Sequence, residues 1–533
     1  MNITRRPARH SRFGWREFLP AVRSATPFLA ACASLTAVCL CRAAAISEID
    51  LVNAADPAQP ILLKDAAELQ ASLRSRKGEP DNAAARESIA DTALAHYEAA
   101  GWPVVDVSVE QQTGGVLRVS VMEGRYGEVS VTGGSDWMRR AVFADWSRRR
   151  GTPLTSDSLA ASLAWLHRNP LHAGTVGFAP GPETATADAT LTLQETRPFR
   201  FVAGYRDDGA PPLWRERFSA GWEVADAFGV PSWWNAEATS GTDSDEFLGA
   251  RSLFRLFLPS HNEVRVSGYW TQAASTTALL PGFDSVSDLE AWNMSLRMTA
   301  PLPAWRGWTG DLVAGADFFR LNSIVQAGGT GTAGRADALH VAAGVSAERR
   351  GATSRSGLNA EIAWSPGGVT DAAHDPDHEA MRHGASADYT LVRAGAWTEQ
   401  DLNSGWNTAG RVFGQWSSEP VIPLQEFSPA GAVGVRGFPA ASALGDSGVQ
   451  ASLEILSPLL PLPAALREVR AKAVAFLDAA IVRDDVEDDS DSLASAGAGI
   501  RMQWRESFGM VMDYGWRLTE PGGRLHVALR MEF

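Results

Sequence analysis

Gly445-Asp446-Ser447-Gly448 imitates the turn that carries a serine nucleophile, and Ala372-Ala373-His374 imitates the segment of its general base. In the hydrolases that these segments imitate, the hydroxyl becomes nucleophilic with an imidazole in hydrogen-bond reach and a carboxylate behind it. The spacing of 73 residues between His374 and Ser447 is short for a double-barrel serine hydrolase, and the chain lacks a double-barrel pattern. The pair is read as coincidence, and no catalytic residue is assigned.

Metal chemistry has two candidates. His374, Asp375, Asp377, His378, Glu379 and His383 offer nitrogen and oxygen donors, and the acidic run 484–491 offers carboxylates suited to calcium. Both stretches fall in expected outer loops, where clustered polar side chains are usually solvated, so neither is assigned a metal. The Gly-rich run 328–334 lacks the Gly-Lys-Ser/Thr of a phosphate loop, and no cofactor is implied. The most specific segment is Val435-Arg436-Gly437-Phe438, followed by Gly445-Asp446-Ser447-Gly448, Glu454 and then Phe476-Leu477-Asp478-Ala479-Ala480.

The elements that must hold these residues follow from composition. A chain of 533 residues is too long for one ordinary core. It has 45% hydrophobic and 21% charged residues, and its 49 Gly and 19 Trp favour turns, aromatic anchoring and β structure. The net charge of −14 argues against a nucleic-acid partner, because little here would neutralise phosphates.

Residues 1–45 read as a signal peptide. Arg5, Arg6, Arg9, Arg12, Arg16 and Arg23 precede an apolar run from Thr26 to Cys41, and Ala43-Ala44-Ala45 supplies a small-residue cleavage site. Removal leaves a chain of net charge −20, expected to begin near Ile46. All three cysteines, Cys32, Cys39 and Cys41, leave with the leader, so neither disulfides nor thiol chemistry are expected in the product. Leu29-Ala30-Ala31-Cys32 resembles a lipoprotein site, but the apolar run continues nine residues past Cys32, so a plain leader is preferred. Beyond residue 45 no window of about 18 apolar residues exists, so any membrane crossing must use strands.

Two similar passes follow. Residues 46–125 read as a strand, helices at 65–74 and 83–100, and strands at 104–110 and 116–123 joined through Gly114-Gly115. Residues 126–198 repeat the order β-α-α-β-β, with a strand at 127–133, helices at 137–148 and 156–169, a faint fourth element and a strand at 187–195.

From 199 to 533 the helix signal vanishes, and sixteen candidate strands of about 10 residues follow, an even number as a closed bacterial barrel requires. Val264, Val266, Gly268 and Trp270 alternate with polar neighbours, as do Trp292, Met294, Leu296 and Met298. In the last strand Leu525, Val527, Leu529, Met531 and Phe533 face one way and Arg524, His526, Ala528, Arg530 and Glu532 the other. Polar residues on the second face suit a wet lumen with lipid outside. Links after even-numbered strands are short, whereas 273–287, 366–387 and 419–445 are long, the pattern of periplasmic turns and outer loops. A soluble sandwich or propeller explains neither this asymmetry nor the terminal Phe533.

The motif from Val435 to Glu454 resembles the signature of the outer-membrane superfamily that includes BamA, TamA and the two-partner secretion transporters (TpsB, such as FhaC and ShlB). The resemblance implies that the loop folds back into the barrel and that Arg436 pairs with Asp478 of the wall motif, where Ala480 stands in place of the family's Gly. A guanidinium in a narrow lumen needs a bidentate carboxylate, and Gly437 would let the backbone turn sharply beside it. Leu166, Asn169-Pro170 and Pro180-Gly181 resemble the second POTRA domain of TpsB proteins, with His167 where Asn is usual. Tyr97, Gly101 and Val121-Met122-Glu123-Gly124 resemble the first. Leu529, Met531 and Phe533 are the expected C-terminal assembly signal for the barrel assembly machinery.

Two POTRA modules plus sixteen strands is the TpsB plan; BamA carries five modules and TamA three. Some TpsB members have an extra helix before the first POTRA, whereas here Ile46 is expected to enter the first strand almost at once, so no plugging helix is expected. The resemblance implies a non-enzymatic outer-membrane pore whose periplasmic POTRA domains recognise a secreted TpsA-like protein and whose barrel, set in outer-membrane lipid, passes it to the cell surface. An assembly factor of the BamA or TamA type is the competing reading, and a passive channel the third.

Overall fold

A computed structural model describes residues 45–195, 198–209, 215–242, 247–258, 260–280, 283–327 and 330–533. The expected leader through residue 44, with its three cysteines, lies outside the described residues. The chain forms two compact units. One holds the first module with residues 147–159 and 177–190, the other the barrel with residues 131–146 and 160–176.

The first module runs β1 (Glu48–Asn53), α1 (Ala66–Arg74), α2 (Ala83–Ala99), β2 (Val105–Gln111) and β3 (Val116–Glu123), with sheet order β1-β3-β2. Its core follows from two periodicities. Leu69 and Leu73 on α1, and Ile89, Ala93 and Tyr97 on α2, recur every fourth residue, while Leu117, Val119 and Val121 recur every second on β3. Asn82 starts α2 by accepting from the Ala85 amide at 2.9 Å. Gly114 and Gly115 make the β2–β3 turn with φ of 81° and 79°, values that favour glycine.

The Val-Met-Glu-Gly segment has a structural purpose. Buried Glu123 accepts from the Leu62 and Leu63 amides and, at 3.1 Å, from the Tyr97 hydroxyl. Burial, helped by the Glu123 charge, pushes the Tyr97 hydroxyl pKa upward. A side chain at Gly124 would lie 2.6 Å from the Val104 carbonyl oxygen.

The second module runs β4 (Arg125–Gly133), α3 (Asp136–Ser147), α4 (Ser156–Leu166), β5 (His172–Pro180) and β6 (Thr186–Glu195), in sheet order β4-β6-β5. β5 is the element whose signal was faint, because two glycines and two alanines dilute its alternation.

Sixteen strands then close a barrel. They are β7 (Phe199–Arg206), β8 (Arg217–Ala225), β9 (Ser232–Ser240), β10 (Phe247–Phe257), β11 (Glu263–Leu280), β12 (Phe283–Trp305), β13 (Trp308–Ala327), β14 (Thr330–Arg350), β15 (Ser354–Pro366), β16 (Asp388–Asp401), β17 (Asn407–Ser417), β18 (Ser447–Leu456), β19 (Val469–Asp484), β20 (Asp489–Trp504), β21 (Phe508–Arg517) and β22 (Gly523–Glu532). Each is antiparallel to its neighbours, and β22 pairs with β7, where the Phe533 amide reaches the Phe201 carbonyl at 2.9 Å. Trp292, Met294, Leu296 and Met298 lie exposed on the outside, as do Leu477 and Ile481, while Asp478 and His526 are buried inside. No helix among the described residues is long and apolar enough to cross a membrane.

Two expectations about the loops are corrected. Residues 273–287 are not a loop: β11 and β12 continue as a paired hairpin to Leu280 and Phe283. The Ser- and Thr-rich sequence there pairs as well in water as in lipid, and Pro281-Gly282 is the first turn signal. Residues 366–387 are not simply solvated either. They contain α5 (Asp375–Met381), and Ala372, Ala373, His378, Ala385 and Ala387 are buried.

Candidate functional site

The 418–446 segment returns into the lumen because it carries groups that fit an interior wall. Val435, Arg436 and Phe438 are almost fully buried. The apolar members Phe427, Ala430, Val435, Phe438 and Ala443 pack on inward residues Ala480 and Val482 of β19 and Leu493 of β20. Ala480 contributes its methyl group to this cluster.

Arg436 sits in a carboxylate cage. Its Nε and Nη2 donate to Asp478 at 2.7 and 2.8 Å, a bidentate pair, and its own amide donates to the same carboxylate at 3.1 Å. Nη1 donates to Glu454 of β18 at 2.5 Å and to Asp513 of β21 at 3.2 Å. The guanidinium lies 3.5 Å from the centroid of the Phe476 ring, which adds a cation–π contact in a desolvated place. Arg501 of β20 shares Asp513 and Glu454.

Backbone contacts complete the seat. Gly437 has φ of 95°, and a Cβ there would lie 2.7 Å from the Gly515 carbonyl; a Cβ on Gly515 would lie 2.7 Å from the Arg436 backbone. The Gly437 amide donates to His526 Nε2 at 3.0 Å, so that nitrogen is unprotonated, and Arg517 Nε donates to the Gly437 carbonyl at 2.7 Å.

Asp446 lies elsewhere. Fully buried, it accepts from Arg382 Nη1 and Nη2 at 2.6 and 3.0 Å and from the amides of Val421 and Asp485. Arg382, in the turn after α5, also meets Asp484 at 2.9 Å, Glu426 at 3.2 Å and the Val421 carbonyl at 2.7 Å. Burial pushes the Glu426 carboxyl up to about 7; Arg382 opposes this, and the nearby Asp446 and Asp484 charges add to it. Gly445 and Gly448 flank it for want of room: side chains would lie 2.4 Å from the Arg483 carbonyl and from Phe427.

The remaining sequence-selected residues divide between the units. Leu166 is buried, and Asn169 accepts from the Leu171 amide at 3.0 Å while donating to the Ser232 carbonyl at 3.0 Å. Pro180 ends β5, and a Cβ at Gly181 would meet the Thr186 hydroxyl at 2.3 Å. Met531 and Phe533 are exposed on the outer face, in register with Leu529. In the proposed metal cluster the donors go to separate partners: His378 to the Asp337 carbonyl, His383 to Glu379, and Asp375 to the Ala387 amide. Ser447 accepts from the Ser417 amide.

Sequence reasoning missed Arg382, Glu426, Arg501, Asp513, Gly515, Arg517 and His526. Asp513 carried a signal, an acid at an inward position of an alternating strand.

Residues 332–502, which hold both arginine clusters apart from Asp513, match the family model described as haemolysin secretion/activation protein ShlB/FhaC/HecB. The resemblance read from the motifs is borne out. The outer membrane transporter CdiB of Dickeya dadantii (strain 3937) is 22% identical over 164 residues, 31% of this chain and 28% of that protein. The match thus spans under a third of the curated relative.

In fold, CdiB from Escherichia coli is similar with a TM-score of 0.75 and 16% identity, covering 94% of this chain and 93% of that one. CdiB from Acinetobacter baumannii gives 0.64 and 15% over 92% and 90%. The likeness is one of fold: a closed sixteen-stranded β-barrel preceded by two small α+β modules of the POTRA type.

Proposed function

We propose that this chain exports a secreted TpsA-like partner protein, capturing it in the periplasm through the POTRA modules and passing it through the barrel. The observation that carries the reading is the seated loop: a long segment held in the lumen by Arg436 on Asp478, Glu454 and Asp513, a geometry suited to a movable plug. Edge strands β1, β2, β4 and β5 offer backbone groups to which an extended segment of the partner adds by β-augmentation. No catalytic step is assigned. The barrel itself reaches the membrane through the assembly machinery, read through Leu529, Met531 and Phe533. The boundaries we propose are 46–125 and 126–198 for the modules and 199–533 for the barrel.

The test is a comparison of proteins released by cells with the wild-type chain, without it, and with Arg436→Ala. The variant should reach the membrane as a folded barrel, yet release none of the partner. Unchanged release would remove the loop from the mechanism, and loss of other barrels from the membrane instead of one secreted protein would favour an assembly factor.

A further inference from the structure

The segment between β15 and β16 crosses the barrel. At one end His378 of α5 donates to the Asp337 carbonyl of β14 at 2.9 Å, and Met381, Ala385 and Ala336 pack together with Ile422 and Leu424 of the inner loop. At the other end Arg382 binds Asp484, the last residue of β19, and Gly384 lies beside Val486 of the β19–β20 turn. β14 and β19 have four strands between them in the sheet order, so a short segment touching both spans the opening instead of following the wall. It also adds to the inner loop by backbone, since the Ser386 amide donates to the Pro420 carbonyl at 2.9 Å.

We infer that Arg382 is a second positioning residue for export: it straps the 366–387 segment to the inner loop at Glu426 and Asp446, and the pore opens only when this contact lets go as well. The inference rests on the proposed export function and adds a gate to it. Arg382 grips Glu426 in the first third of the inner loop and Asp446 at its far end, while Arg436 grips only the wall from the loop's tip. Freeing Arg436 alone therefore leaves the loop held at both acids. Removing Arg382 cuts the charge that ties the 366–387 segment to the inner loop and leaves Asp446 and Glu426 of that loop facing Asp484 of β19 without their shared cation, which drives the loop from the wall.

The test uses purified full-length protein in planar lipid bilayers with potassium chloride, which needs no partner protein. Arg382→Ala should give a folded barrel by heat-modifiable migration and an open-pore probability raised on the order of tenfold, as losing one side of a buried pair predicts. Arg382→Lys, which keeps charge but not the bidentate grip, should fall between. Adding Ser386→Cys with Pro420→Cys to Arg382→Ala, in an exported chain expected to hold no other cysteine, should close the pore when oxidised and reopen it with dithiothreitol. Wild-type conductance in Arg382→Ala, or a cross-link without effect on it, overturns the strap. Either result leaves the Arg436→Ala secretion assay to judge export separately.

Discussion

The two arginine clusters of the barrel have the same number of acids and different consequences. Arg436 faces Asp478, Glu454 and Asp513, all on barrel strands, and Arg501 supplies a second cation to two of them. Arg382 faces Asp446, Glu426 and Asp484 as the one arginine paired with all three, and Glu426 belongs to the loop itself. The first has two cations for three acids and is fixed to a rigid wall. The second carries excess negative charge between two loops, which makes it the weaker of the two and the one a proton can reinforce. A fixed tip and a titratable root give one segment two different release conditions.

The largest expected effect breaks the first cluster. Asp478→Ala strands Arg436 in a buried place and should cost about 3–5 kcal/mol of barrel stability, while adding Arg436→Ala restores part of it, a non-additivity measurable by thermal unfolding in detergent. Equal and additive losses would mean that the pair does not act as a unit. Next, Gly515→Val should dislodge the loop tip while leaving β21 paired, seen as faster proteolytic nicking near residue 437. The contact it destroys is backbone against backbone, which no rotamer can relieve.

A milder perturbation sharpens the contrast by pH. Glu426 binds its proton more tightly in the strapped arrangement, near 7, than when released, near its ordinary 4.5. Strapping is therefore fully favoured below about 4.5 and weakens as pH rises through about 7. The charged groups facing it are Arg382, Asp446 and Asp484. Open probability of the wild-type pore should rise between pH 5 and 8, and Glu426→Gln should flatten that rise; a slope unchanged in the variant would assign the titration elsewhere. Smallest of all, Ala480→Gly should lower stability by about 1 kcal/mol or less and leave conductance unchanged, because it removes one methyl from a cluster that Phe427, Val435 and Phe438 still fill.

The barrel was legible because its signal is repeated sixteen times, and the POTRA sheets because their helices bury residues at fixed intervals. Arg436 and Asp478 were legible for another reason: each sits in a short linear motif. Arg382 had no such context. It lies among His and Asp residues that read as solvated, and its partner Asp446 is 64 positions away in sequence. Asp513, Gly515 and His526 were hidden likewise, since alternation shows which residues point inward but not which height each reaches. The hairpin of β11 and β12 was misread because length rules for crossing strands count the lipid and are silent about how far pairing continues beyond it.

That continuation has a consequence of its own. β11 to β14 run for 18, 23, 20 and 21 residues, whereas β7 to β10 run for 8, 9, 9 and 11. At about 3.3 Å per residue the longest reaches roughly 75 Å along its own axis, a little over twice the length of about 10 residues that a tilted strand needs to cross lipid. The cylinder's rim is therefore cut on a slant, with the flank of β11 to β14 rising as a stiff parapet well past the adjoining strands β7 to β10.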